Sequence, residues 1–182
     1  MTGEPLLLGL DTGTSTMKAV LLDPEGRETA AVSRPTPFTA GPSGIEMSLD
    51  ALMEALGDLL ARVGPARERV AAVGIAGMGE CGAPLGRDGA PLAPVIAWHD
   101  PRGAEAVARL ERAFGPGLAL RTGQRPRTVS SVAKLGWLAG HWLCVADIRR
   151  WLGVAELCLR RLSGAEVTEH SLASRTGCYD VI

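Results

Sequence analysis

Between residues 11 and 18 the chain reads Asp11-Thr12-Gly13-Thr14-Ser15-Thr16-Met17-Lys18. This is a carboxylate, a run of hydroxyls around a glycine, and an ammonium. The set suits an anion and its counter-cation. Successive backbone N–H groups in a tight turn, with the hydroxyls of Thr12, Thr14 and Ser15, can donate to phosphate oxygens. Gly13 lets the backbone approach a ligand closely. Lys18 supplies positive charge, and Asp11 can hold a divalent cation directly or through water. The same residues also fit a plain turn, because Thr, Ser and Gly are common at hairpin tips and an Asp ahead of a turn often bonds the backbone.

The flanking segments place this motif between two strands. Leu6 to Leu10 is a continuous apolar run, as expected of a central strand buried on both faces. Met17 to Leu22 is a second run, Asp23-Pro24-Glu25-Gly26 a turn, and Arg27 to Arg34 the returning strand, ended by Pro35 and Pro37. Residues 35–47 read as loop. Ser48 is a candidate N-cap for a helix with apolar residues at helical spacing from Leu49 to Val63, stopped by Gly64-Pro65. Val70 to Ala76 is a strand. Cys81 to Leu85 and Pro91 to Trp98 read as two strands of a hairpin turning at residues 87–90. Helices are expected over 101–114, near 130–143 and over 151–163, and Cys178 to Ile182 as the start of a strand. A strand triplet followed by alternating helices and strands predicts an α/β domain with a mixed sheet.

Composition narrows the partners. Over 182 residues the net charge is −1, with 46% hydrophobic and 21% charged residues. That balance argues against nucleic acid or an acidic membrane surface. No apolar run approaches ~18 residues, so no membrane span is expected, and the first eleven residues lack the basic and apolar regions of a secretory leader. Cys81, Cys144, Cys158 and Cys178 form no C-x-x-C pair and read as reduced thiols of a cytoplasmic protein. His99, His141 and His170 show no metal-ligand spacing.

Several segments together resemble the FGGY carbohydrate kinases, within the actin/sugar-kinase/heat-shock ATPase superfamily. These are Leu8 to Ser15 with Lys18 to Asp23, then Gly74 to Glu80, then Trp98-His99-Asp100-Pro101-Arg102 as W-x-D-x-R. Thr122-Gly123 with Lys134 and Trp137, and Leu162-Ser163-Gly164 with Thr168 through Gly177, follow in the family's order. The resemblance implies a ribonuclease-H-like amino-terminal lobe with a mixed sheet and flanking helices, carrying a sugar-contacting insert over about 77–130. It implies ATP and Mg2+ as cofactors and a sugar or polyol as substrate. Asp11 would serve the metal and the transferring phosphoryl group. Thr12, Gly13, Thr14, Ser15 and Lys18 would cradle phosphate. Met78, Gly79, Glu80 and Trp98 would contact sugar, Glu80 by accepting hydroxyls and Trp98 by offering an apolar face. Asp100 and Arg102 are expected to brace one another and their loop. Where glycerol kinases carry an aromatic clamp, this chain has Thr128 to Ser130, which points away from glycerol.

The family's catalytic Asp, second phosphate loop and adenosine pocket lie beyond residue 182, so the 182 residues alone are expected to be inactive as a kinase. The alternative is a truncated, non-catalytic kinase-like binding module. Oligomeric state stays open, a homodimer being one option. A remote alternative is NAD(P) binding: Gly77-Met78-Gly79-Glu80-Cys81-Gly82 is formally G-x-G-x-x-G after a strand, a fingerprint that requires a helix to follow. Ala83 to Gly89 reads instead as strand and turn.

Overall fold

The computed structural model describes residues 3–182; Met1 and Thr2, where the stretch read as lacking a leader begins, lie outside them. Strands β1 (Leu6–Thr12), β2 (Thr16–Leu22) and β3 (Glu28–Pro35) form an antiparallel meander, and β6 (Val70–Gly77) pairs parallel to β1. The resulting mixed sheet has the order β3-β2-β1-β6. The turn at Asp23 to Gly26 closes as predicted, with Gly26 at positive φ and its N–H on the Asp23 carbonyl at 2.9 Å.

One face of this sheet carries the core. Leu6, Leu8 and Leu10 of β1 and Met17, Ala19 and Leu21 of β2 are buried against helix α1 (Leu49–Arg62) and helix α5 (Val154–Ser163). Ser48 caps α1 by accepting the Ala51 N–H at 3.1 Å, and α1 turns Leu52, Leu56 and Leu59 inward. The expectation that β1 is buried on both faces does not hold. Its burial alternates and Leu7 is 41% exposed, because no helix among the described residues covers the second face. Asp11 and Lys18 sit opposite one another in the β1/β2 register on that open side, both exposed.

The segment read as loop over 35–47 contains a hairpin, β4 (Thr39–Gly41) and β5 (Gly44–Met47), and β5 also pairs with β8 (Val95–Ile96). The predicted 81–98 hairpin is correspondingly different. Its turn closes, Gly86 N–H reaching the Ala90 carbonyl at 2.9 Å, but the pairing stops at a single Leu85–Pro91 bridge. Pro91 and Pro94 offer no N–H to extend a ladder. Strand β7 (Gly82–Leu85) instead pairs with β9 (Arg150–Gly153). Residues 151–153, assigned to a helix from sequence, are therefore strand, and α5 begins at Val154. Helices α2 (Ala104–Phe114), α3 (Pro116–Thr122) and α4 (Ser131–His141) follow β8, and α6 (His170–Arg175) follows α5. Residues 178–182 form no strand.

Gly77, at the end of β6, shows how tightly the sheet seats the first turn. A Cβ there would collide with Thr12 Oγ1 and lie 3.1 Å from the Ala155 Cβ. Gly77→Ala is expected to lower the urea midpoint, a loss of about 1–3 kcal/mol from overpacking. Gly74→Ala, whose Cβ meets nothing within 4 Å, should stay within about 0.5 kcal/mol of the parent. Equal losses would remove the close approach of β6 to Thr12 as the cause.

Candidate functional site

The β1–β2 turn is tied down by Thr36, which follows β3. Thr36 donates its hydroxyl to the Gly13 carbonyl at 2.6 Å and its N–H to the Ser15 carbonyl at 3.0 Å. Gly13 is required here for a reason other than ligand approach: a Cβ would lie 2.8 Å from the Thr16 carbonyl oxygen. Thr12 is buried and its hydroxyl donates to the Ala76 carbonyl at 3.3 Å, so that hydroxyl is turned inward and is not offered to a ligand. Thr14 is half-buried, and Ser15 and Lys18 are exposed. Among the described residues, Asp11, Ser15 and Lys18 make no side-chain hydrogen bond or ion pair.

Two contacts join this turn to the other segments singled out from sequence, and a third joins those segments to each other. Met78 N–H donates to the Thr12 carbonyl at 3.1 Å. The Trp98 indole N–H donates to Thr14 Oγ1 at 2.9 Å, and the Trp98 main-chain N–H donates to Cys81 Sγ at 2.9 Å. The turn, the 78–81 loop and Trp98 are thus one cluster. Burial pushes the Cys81 thiol up to about 12, in keeping with a neutral hydrogen-bonding partner.

Glu80 lies on this cluster in a form that sequence did not reveal. Its φ is +64°, the only non-glycine positive φ among the described residues, a conformation costing roughly 1–2 kcal/mol. Its side chain is 9% exposed and its carboxylate is ion-paired with Arg175 of α6. Gly79 packs under the Arg175 side chain; a Cβ there would lie 3.4 Å from Arg175 Cβ and Cγ. A cavity of 310 Å³ opens beside the loop, walled by Met78, Gly79, Glu80, Leu135, Glu156 and Tyr179 among others. Neither Trp98 nor any residue of the 11–18 turn lines it. Gly77 to Gly82 leads into strand β7 and opens no helix, so the dinucleotide fingerprint lacks the helix terminus that would hold a pyrophosphate.

The loop carrying Trp98 is anchored from below. Asp100 and Arg102 brace one another: Asp100 Oδ1 accepts Arg102 Nε at 2.8 Å and Arg102 N–H at 2.9 Å, and Oδ2 accepts the Ile45 N–H at 2.7 Å. Arg102 Nη1 also pairs with Glu46 at 2.5 Å, and its guanidinium lies over Trp137 at 4.9 Å. Burial alone would raise the Asp100 carboxyl; the Arg102 and Ile45 hydrogen bonds outweigh it and hold the group at about 2. Lys134 of α4, fully buried, donates to the carbonyls of Asp100 and, at 3.0 Å, of Arg102. Ser131, Lys134 and Leu138 share one face of α4, and all three are buried.

Over residues 6–182 the chain matches the family model described as FGGY family of carbohydrate kinases, N-terminal domain. The chain belongs to the FGGY family. A xylulose kinase of Streptomyces rubiginosus is 33% identical over 179 residues, covering 96% of this chain and 37% of that protein. A glycerol kinase of Thermococcus gammatolerans is 29% identical, covering 98% and 38% respectively. Among solved structures, ligand-bound xylulose kinase from Lactobacillus acidophilus superposes with a TM-score of 0.81 at 27% identity, over 97% of this chain and 37% of that one. The FGGY chain thus spans under two-fifths of the length of these relatives. Its α/β fold, a mixed sheet with flanking helices, is the ribonuclease-H-like fold of the sugar kinases.

Lys134 generates a pH signature. Burial lowers its ammonium from 10.5 to about 8. Between these values the unfolded chain binds the proton that the folded chain has shed, so this group adds stability as pH rises from about 8 to 10.5. Lys134→Met is expected to cost about 1–3 kcal/mol at neutral pH through the two stranded carbonyls. The gap to wild type should widen across that pH window. Urea unfolding at several pH values reads it, and a constant gap contradicts the assignment.

Proposed function

We propose that this chain supplies the first phosphate seat and part of the sugar site of an ATP-dependent carbohydrate kinase. The parent reaction is ATP plus a sugar or polyol giving ADP and the sugar phosphate. The observation that carries this reading is the cluster in which the Asp11–Lys18 turn, the 78–81 loop and Trp98 are hydrogen-bonded together. Phosphoryl transfer is chiefly positioning and charge neutralisation, and this cluster sets anion donors beside groups suited to a polyol.

Ser15 and the Thr14 hydroxyl, the backbone of Gly13 and the Lys18 ammonium take phosphate oxygens. Thr12 contributes backbone only, since its hydroxyl is spent on Ala76. Asp11 is exposed and without a protein partner among the described residues, and no group of three or more His, Cys, Asp or Glu there could hold a metal. A single carboxylate with water and phosphate oxygens fits Mg2+, which keeps several waters; when bound, that ion neutralises phosphate charge. Glu80 and Trp98 face the sugar, with Met78 and Gly79 shaping the loop between them over the segment of about 77–130. The missing aromatic at Thr128 to Ser130 argues against glycerol as the polyol.

The described residues offer one phosphate turn and no positioned base for the sugar hydroxyl. ADP release by the 182-residue chain with a panel of pentuloses and polyols should therefore stay at background. Sustained turnover would overturn that part of the proposal. If the chain is instead a non-catalytic binding module, it should bind sugar with the same affinity whether or not Mg-nucleotide is present.

The seat itself is tested by calorimetric titration with ADP. Asp11→Asn should weaken MgADP binding about tenfold, of the order of one charge-assisted contact, and leave metal-free ADP nearly unchanged. Identical MgADP affinity in the variant would take Asp11 out of the metal's coordination.

A further inference from the structure

We propose that Trp98 is a positioning residue for the phosphate turn, fixing the Thr14 hydroxyl as a donor aimed at the anion. This rests on the phosphate-seat reading above. An indole N–H can only donate. Its bond to Thr14 Oγ1 at 2.9 Å therefore makes that oxygen the acceptor. The hydroxyl proton must then point away from the ring, and among the described residues it has no protein acceptor. The neighbouring hydroxyls differ. Thr12 donates to Ala76, Thr36 donates to Gly13, and Ser15 is exposed with no partner to orient it. Thr14 is therefore the hydroxyl of the turn whose orientation a protein group constrains while its proton stays without a protein acceptor among the described residues. Accepting one hydrogen bond also strengthens the one donated, so the indole makes Thr14 a better donor.

The ring that does this is itself held. Its backbone N–H is tied to Cys81, and two residues on the loop is clamped by Lys134 and the Asp100–Arg102 pair. Preorganisation of this kind removes the cost of orienting the donor when the anion arrives. The same indole is the proposed wall for the sugar. A ligand on its face and an anion on the turn therefore share one group, and any influence of one on the other's affinity is reciprocal.

The test uses the 182-residue chain, with MgADP as probe. The chain has four tryptophans, each carrying one indole N–H, and Trp98→Phe identifies its resonance as the one that disappears. Thr14→Val should shift that resonance upfield, while Thr14→Ser should leave it in place. In titrations, Trp98→Phe should weaken MgADP about threefold to tenfold, the range of one neutral hydrogen bond. In the Thr14→Val background the same change should cause no further loss, because the indole acts only through that hydroxyl. Equal loss in both backgrounds, or no loss in either, overturns the inference and leaves the phosphate seat standing. If the parent chain binds neither MgADP nor magnesium pyrophosphate, which needs no adenosine pocket, the seat and this inference fall together. If Trp98→Phe fails to fold, the Thr14→Ser and Thr14→Val resonances still decide whether the bond exists in solution.

Discussion

A buried ammonium is the constraint on which the site depends. Lys134 has no exposed surface, and taking such a charge from water costs several kcal/mol unless its donors are satisfied. Part of that cost is offset by capping two main-chain carbonyls, of Asp100 and Arg102, in a loop that has no strand or helix to hold it. Asp100 then closes the loop on Arg102 and on Ile45 of β5, and Arg102 closes it on Glu46 and the Trp137 ring. Residues from β5, the 98–102 loop and α4 become one unit. Trp98 leaves that unit in a fixed direction, toward Thr14. An apolar residue at position 134 would fill the space but would leave two buried carbonyls without donors, which is why a lysine is used in an otherwise apolar helix face.

The elements that hold the turn were legible because their signals are local. The apolar run of β1, the Pro-Gly turn before β3 and the Ser48 cap with its helical spacing each follow from a few neighbouring residues. What sequence did not reveal is pairing between distant segments. Strand β7 finds β9, some 65 residues on, and β5 finds β8; nothing in the spacing of either pair announces the partner. Trp151 and Leu152 read as the start of an apolar helix because the same residues suit both structures, and tertiary pairing decided in favour of strand. The open face of β1 is a similar case. A continuous apolar run does not say which face is covered, and Leu7 is left exposed where the run predicted burial.

The candidate site was legible in part. The chemistry of Asp11 to Lys18 could be read from residue types, but which hydroxyls remain free could not. Thr12 and Thr14 are equivalent in sequence and opposite in role: β1 alternation turns Thr12 into the interior and leaves Thr14 at the rim. Thr36 and Arg175 were passed over, one as a loop residue between two prolines and the other as part of a longer motif. Each acts on a segment at least 20 residues away. Lys134 entered only as part of the family pattern, and its burial on the Ser131–Leu138 face is a finding of the structure.

On the sugar-site reading proposed above, the Glu80–Arg175 pair restricts what this loop offers a ligand. A free carboxylate would offer four acceptor positions to hydroxyls; one already engaged by a guanidinium offers fewer, in fixed directions. The positive φ of Glu80 and the glycine beside it hold that orientation, because Gly79 leaves room for the Arg175 stem while Glu80 turns back toward it. Selectivity at this position would then come from a rigid acceptor pattern built by α6 and the loop together, and from Trp98 on its own anchored loop. The two walls are fixed by different helices, α6 for Glu80 and α4 for Trp98. A change in α6 would act on Glu80 alone, whereas a change in α4 would reach Thr14 as well, through Trp98.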